Sequence, residues 1–280
     1  NWAEDVWEQW DDYIFDSAVT NGSVTINGYF GINSLTLQAG LLQDIVIAST
    51  NAQPVIMGVG VSGNSSALIS IDAASRDLTI NGDYIANGTV TWDVGSGRTL
   101  SLNGPLNNWF QTASLVKNGA GAAILTGSNG YTGGTTISGG TLKLQGSAFS
   151  TTARTYSISP GAVLNLDGNT GVASGTTTLS GNGTLLLTGG SLDNGTGSGR
   201  NINMELGSDA VIEIQPGAAM TNGGWQNINW TNNKSSLKVD GTFDMWDGNS
   251  VFVDALNGSG SITKNHPGNS PTELRVGVDG

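Results

Sequence analysis

The feature that most restricts this chain is the alternation in "GYTGGTTISGGTLKLQG", residues 130–146, where a glycine-rich corner runs into the strand pattern Thr141-Leu142-Lys143-Leu144-Gln145. The pattern recurs as "TLKLQG", "VLNLDG", "TLLLTGG" and "SLKVDG", beginning at Thr141, Val163, Thr184 and Ser236. The first two intervals are about 20 residues, too short for a unit that buries its own apolar face, so each repeat needs neighbours stacked against it. Upstream, "SVTING", "SLTLQAG", "DIVIAS", "ALISIDA", "TVTWDVG" and "TLSLNG" follow one another with little room for helical crossovers. Several Asn-Gly pairs would suit the hairpins of a β-sandwich or an antiparallel barrel. The recurrence favours parallel coils about 4.8 Å apart, with inward Leu, Ile and Val in columns and glycines at corners of positive φ. The expectation is an all-β, right-handed parallel β-helix over residues 19–280, forming a single domain.

Composition supports this and removes other classes. The 280 residues include 43 glycines without a G-X-Y period, which excludes collagen, and the regularly spaced branched residues argue against disorder. With 22 acidic and 10 basic residues the net charge is -12, so nucleic acid and acidic lipid are disfavoured as partners, and neutral molecules or cations are favoured. No apolar run reaches the length of a membrane span. The chain has no cysteine, which excludes disulfides and thiol chemistry, and its Asn/Thr/Gly-rich repeats suit a secreted or cell-surface bacterial protein. Because it begins at Asn1, a mature protein or a module of a longer polypeptide is expected.

The first eighteen residues, "NWAEDVWEQWDDYIFDSA", read differently. Trp2, Val6, Trp10 and Tyr13 share a helical stripe with Trp7 and Ile14 beside it, while Glu4, Asp5, Glu8, Asp11 and Asp12 fall elsewhere. This predicts an amphipathic helix over 1–18 that caps the open end of the strand array, with Asp11 and Asp12 on its solvated face.

Residues Leu115 to Gly146, "LVKNGAGAAILTGSNGYTGGTTISGGTLKLQG", resemble the autotransporter-associated β-strand repeat. The shared elements are Lys-x-Gly-x-Gly, an apolar strand ending in Thr-Gly, Asn-x-Tyr-Thr-Gly-Gly-Thr-Thr, and Gly-Thr-Leu. Weaker echoes occur at Ser180 to Gly190 and at Leu256 to Asn265. The resemblance implies a β-helix in a secreted or surface protein and no particular activity. In length and repeat character the chain is also similar to β-helical carbohydrate-binding modules of gut bacteria, which are associated with xylan.

A β-helical hydrolase or lyase would need grouped carboxylates or a calcium-assisted base. The chain's one histidine, His266 in "KNHPGN", reads as a solvated loop residue, and the basic residues are scattered. No catalytic residue is therefore assigned. Asp240, Asp244 and Asp247 in "VDGTFDMWDGNS" are candidate calcium ligands, although the spacing is not that of an EF-hand.

The eight tryptophans carry the remaining signal. Parity places Trp92 inward with Val90 and Val94, and Trp230 inward with Ile228. Trp246 shares its side with Asp244, opposite Phe243 and Met245, and Trp225 lies about one coil earlier. Indoles one coil apart on an outer face would match the advance of a β-linked pyranose chain, with Asn and Asp bonding its hydroxyls. The candidate carbohydrate-binding set is thus Trp225, Trp246, Trp109, Trp230, Asn227 and Asp244. Three readings follow. The first is a noncatalytic module binding a xylan-type polysaccharide, covalently linked to a catalytic domain; the second is a structural or adhesive passenger segment; the third is a β-helical hydrolase or lyase.

Overall fold

The computed structural model describes residues 11–26, 30–49, 55–57, 66–108, 112–146, 154–168, 175–193, 200–223, 228–268 and 272–278. They divide into two compact units, Asn1–Leu142 and Lys143–Gly280. Both are all-β among the described residues, and every strand pairing described in them is parallel.

In the first unit the chain passes in turn through three ladders. The first ladder contains Asp11–Phe15, residues 34–37, Ser66–Ile71, Thr89–Val94, Ser114–Asn118 and Thr135–Ile137. The second contains Ser23–Ile26, Ile45–Ser49, Leu78–Asn81, Thr99–Leu102 and Ala122–Leu125. The third contains residues 30–32, Val55–Met57, Tyr84–Ala86 and Leu106–Asn108. Each coil advances by one strand in each ladder, which is the solenoid that the sequence repeat predicts. Register turns the apolar alternation into buried columns: Leu35 pairs with Ile69 and Ile69 with Trp92, all buried. Trp92 meets Tyr84 edge-on at 6.2 Å, so the inward parity expected for this tryptophan holds.

The second unit repeats the scheme with Thr155–Ile158, Gly175–Gly181, Arg200–Leu206 and Ile228–Asn229 in one ladder. Val163–Asp167, Thr184–Leu192, Val211–Ile214, Ser236–Val239 and Leu256–Asn257 form a second. The starts read from sequence fall in register, since Val163 pairs with Thr184. Ser236 is reached through Val211, whose strand "VIEI" runs into Gln-Pro-Gly, a proline interrupting the strand-to-glycine step that the other repeats share. A third ladder holds residues 190–192, Ala218–Thr221, Thr242–Asp244 and Ser261–Thr263. Coil length varies: Leu185 pairs with Ile212, 27 residues on, but Leu237 pairs with Leu256, 19 residues on.

The expected N-terminal helix is corrected over its last part. Residues 1–10, including Trp2, Trp7 and Trp10, lie outside the described residues, and Asp11–Phe15 is a strand paired with Phe30–Leu37. Asp12 is therefore no spectator on a helix face. Its Oδ1 accepts hydrogen bonds from Asn33 Nδ2 at 2.8 Å and Ser34 Oγ at 2.6 Å, and those bonds hold its carboxyl below the usual range. The competing signal was Phe15, which is buried while Ile14 is exposed: over "DDYIF" a strand period of two explains the burial better than the helical stripe.

Candidate functional site

The residues that most resemble a chemical motif lie in the segment 115–146, and they form a corner. In Ser114–Asn118, Leu115 and Lys117 share inward parity. Lys117 is in register with Trp92 on one side and Ile137 on the other, so a lysine occupies a place in an apolar column and is fully buried. Its Nζ donates to three carbonyls: Asn118 at 2.6 Å, Gly119 at 3.0 Å and Gly139 at 3.2 Å. The first two belong to its own corner and the third to the corner of the next coil. One ammonium thus ties two successive corners together through all three of its protons.

Burial pushes the Lys117 amine down to about 8, while the nearby charge of Asp93 works in the opposite direction. Gly119 has φ +73°, and a side chain there would strike the carbonyl of Val94. Buried Tyr131 shares a hydroxyl hydrogen bond with Thr135, and Asn129 is buried close by in sequence. The Lys117 ammonium is thus consumed in holding backbone. Sequence reasoning assigned none of these residues, yet a signal existed, because Lys117 has the parity of Leu115 and could only point inward.

The candidates chosen from sequence lie in the second unit, with the exception of Trp109, and the structure separates them. Trp109, Trp225 and Asn227 lie outside the described residues. Trp230 is buried, donates from Nε1 to Asn222 Oδ1 at 3.0 Å and packs edge-on against Phe243 at 6.0 Å. An indole so enclosed has no face for a sugar, so its place in the binding set is corrected: it is a core residue, as its parity with Ile228 indicated. Asn222, also buried, connects this core to the next loop by donating to the carbonyl of Asn249 at 2.8 Å.

Trp246 is half-buried and lies against Gly223, where a Cβ would collide with the indole. It is the one non-glycine residue with positive φ among those described, at +40°, a conformation that must be held by its surroundings. Asp244 does much of the holding. Its Oδ1 accepts from the Trp246 amide at 3.0 Å and the Asn265 amide at 3.1 Å, and its Oδ2 accepts from Asn265 Nδ2 at 2.9 Å. The His266 ring meets Trp246 edge-on at 5.4 Å, and its Nε2 lies 3.5 Å from Asp247 Oδ2. Trp246 and Asp244 are both half-buried, whereas Phe243 and Met245 are buried.

The three aspartates do not converge on one point. Asp240 pairs with Lys238 at 3.3 Å and accepts from Ser259, which keeps its carboxyl below the usual range. Asp244 serves Asn265 and Asp247 faces His266, and among the described residues no group of three or more acidic or histidine side chains is arranged to hold a metal.

Comparison with known proteins places these observations. Residues 115–144, the segment that carries the Lys117 corner, match the family described as the passenger-associated-transport-repeat. Over 169 residues, 59% of this chain, the sequence is 32% identical to the adhesin BmaC autotransporter of Brucella suis biovar 1 (strain 1330). The aligned part spans 4% of that adhesin's length. No solved structure matches the chain.

Proposed function

We propose that this chain is a noncatalytic, adhesive passenger segment of a secreted or cell-surface protein. The observation that carries this reading is the coincidence of a passenger repeat at 115–144 with similarity to an autotransporter adhesin over 59% of the chain. The solenoid supports it, because stacked coils present long, regular outer faces, and the most motif-like polar groups are spent on corners. The net charge of -12 favours neutral or cationic surfaces as targets. The test is to couple the full chain to beads and measure their retention on host-cell layers and on immobilised cell-wall polysaccharide, with reducing-end release assayed in parallel. Retention without product release is the expected result; product release without retention would overturn the reading.

Glycan recognition is a second reading, favoured by the half-buried Trp246 with Asp244 and Asn265 beside it. An indole edge flanked by amide and carboxylate groups suits a neutral sugar. Weaker retention of Trp246→Ala on xylan would support it, and unchanged retention would remove it.

A further inference from the structure

The first unit carries a groove of about 570 Å³ that none of the tryptophan candidates touches. It spans three consecutive coils, and two rows run across them. The first row is set by register: Thr36 pairs with Ser70, and Ser70 with Asp93. All three side chains point outward, since their neighbours Leu35, Leu37, Ile69, Ile71, Trp92 and Val94 are buried. The second row follows the corner, where Gln38 N donates to Phe15 O, Asp72 N to Leu37 O and Gly95 N to Ile71 O. Gln38 and Asp72 are exposed at this rim.

We infer that this groove binds a neutral, linear oligosaccharide lying across the coils. The volume falls within the range of small-molecule sites, and steps along each row repeat at the strand separation of about 4.8 Å. That repeat is close to the advance of an extended β-linked pyranose chain. The lining supplies hydroxyls from Thr36 and Ser70, an amide from Gln38 and carboxylates from Asp72 and Asp93. Such a set donates and accepts, which is what sugar hydroxyls require. A peptide is a poorer fit. The groove lies over ladders whose main-chain groups already pair between coils, so an added strand would find no partners. An acidic polymer is repelled, since the lining holds two carboxylates and no lysine or arginine. Asp72 is fixed at the rim, with Oδ1 accepting from Ala74 N at 2.7 Å. Asp93 is exposed, and its charge acts on the buried Lys117 amine.

The inference rests on the noncatalytic, adhesive reading, and the experiment separates the two. The full chain is run in native gels containing xylan, mixed-linkage β-glucan, mannan or polygalacturonate, alongside Asp72→Ala/Asp93→Ala, Ser70→Tyr and Trp246→Ala. Ser70→Tyr obstructs the groove from an outward position and leaves the Asp72 turn intact. Retardation by at least one neutral polymer is expected, weakened three-fold or more by both groove variants; loss of retardation in Trp246→Ala with both groove variants unaffected would place binding at that indole and overturn the groove. Unchanged mobility on every neutral polymer, retention confined to polygalacturonate, or retention that survives Ser70→Tyr would each overturn the groove. In those cases, bead retention on host-cell layers would still decide the adhesive reading separately.

Discussion

At Lys117 a single ammonium holds three main-chain carbonyls of two consecutive corners, whereas the loop at Trp246 is held by several side chains, Asp244 accepting three bonds and Asn222 donating to Asn249. The first corner uses glycine where φ is positive, at Gly119; the second places a tryptophan there. The first keeps its polar groups inside, and the second leaves Trp246, Asp244 and His266 half in solvent. The contrast shows what a repeat signature encodes. Residues that recur because every coil must turn are buried scaffold, while a strained, partly exposed residue outside the repeat is where a surface acquires a specific character.

Breaking the first corner should have the largest effect. Lys117→Ala leaves three carbonyls without their donor beside a new cavity, and a loss of about 3 to 5 kcal/mol is expected from urea denaturation followed by circular dichroism. The pH dependence sharpens this. The folded state holds the Lys117 amine near 8, below the ordinary 10.5, so burial penalises the charged form. That penalty is full below the folded value and is relieved as pH rises toward the unfolded one. The stability of the native chain relative to Lys117→Met should therefore increase between about pH 8 and 10.5. A flat difference across that window would mean that the amine does not titrate as described.

The second region should respond more weakly. Asn222→Ala removes the acceptor of Trp230 Nε1 and the donor to Asn249, and should cost about 1 to 3 kcal/mol in the same assay. At Trp246 the glycine variant should exceed the alanine variant in stability by about 1 kcal/mol, because only alanine retains the cost of positive φ. Equal stabilities would show that the loop relaxes. The least effect is expected for Asp247→Asn, which weakens a half-exposed pairing with His266 and should change stability by less than about 0.5 kcal/mol at pH 7.

Much of this architecture was legible. Alternation with glycine corners, recurring at about 20 residues, favoured parallel coils over the hairpins that the Asn-Gly pairs would suit, and the parity of Val90 with Trp92 and of Phe243 with Met245 gave their burial correctly. The opening segment misled, since Tyr13 and Ile14 fit both a helical stripe and a strand, and only pairing with Phe30–Leu37 decides between the periods. The candidate site was harder to read. Trp230 has the composition of a binding residue and the location of a core residue. The groove row Thr36, Ser70 and Asp93 is assembled from residues 34 and then 23 positions apart, and that uneven spacing hides it from any search for a fixed period. Lys117 had a legible signal in its parity with Leu115, but a lysine inside an apolar column runs against the usual exposure of charged side chains.

The most direct test of the central claim, that the polar repeat is scaffold tying coil to coil, is native-state hydrogen exchange on Lys117→Met. The amides to follow are Gly121, Ala122, Ser138 and Thr141, which donate to Val94, Arg98, Lys117 and Gly121 respectively. A joint loss of protection at these four positions, with the amide of Tyr84 unaffected, is the predicted result. Protection equal to that of the native chain at all four would contradict it.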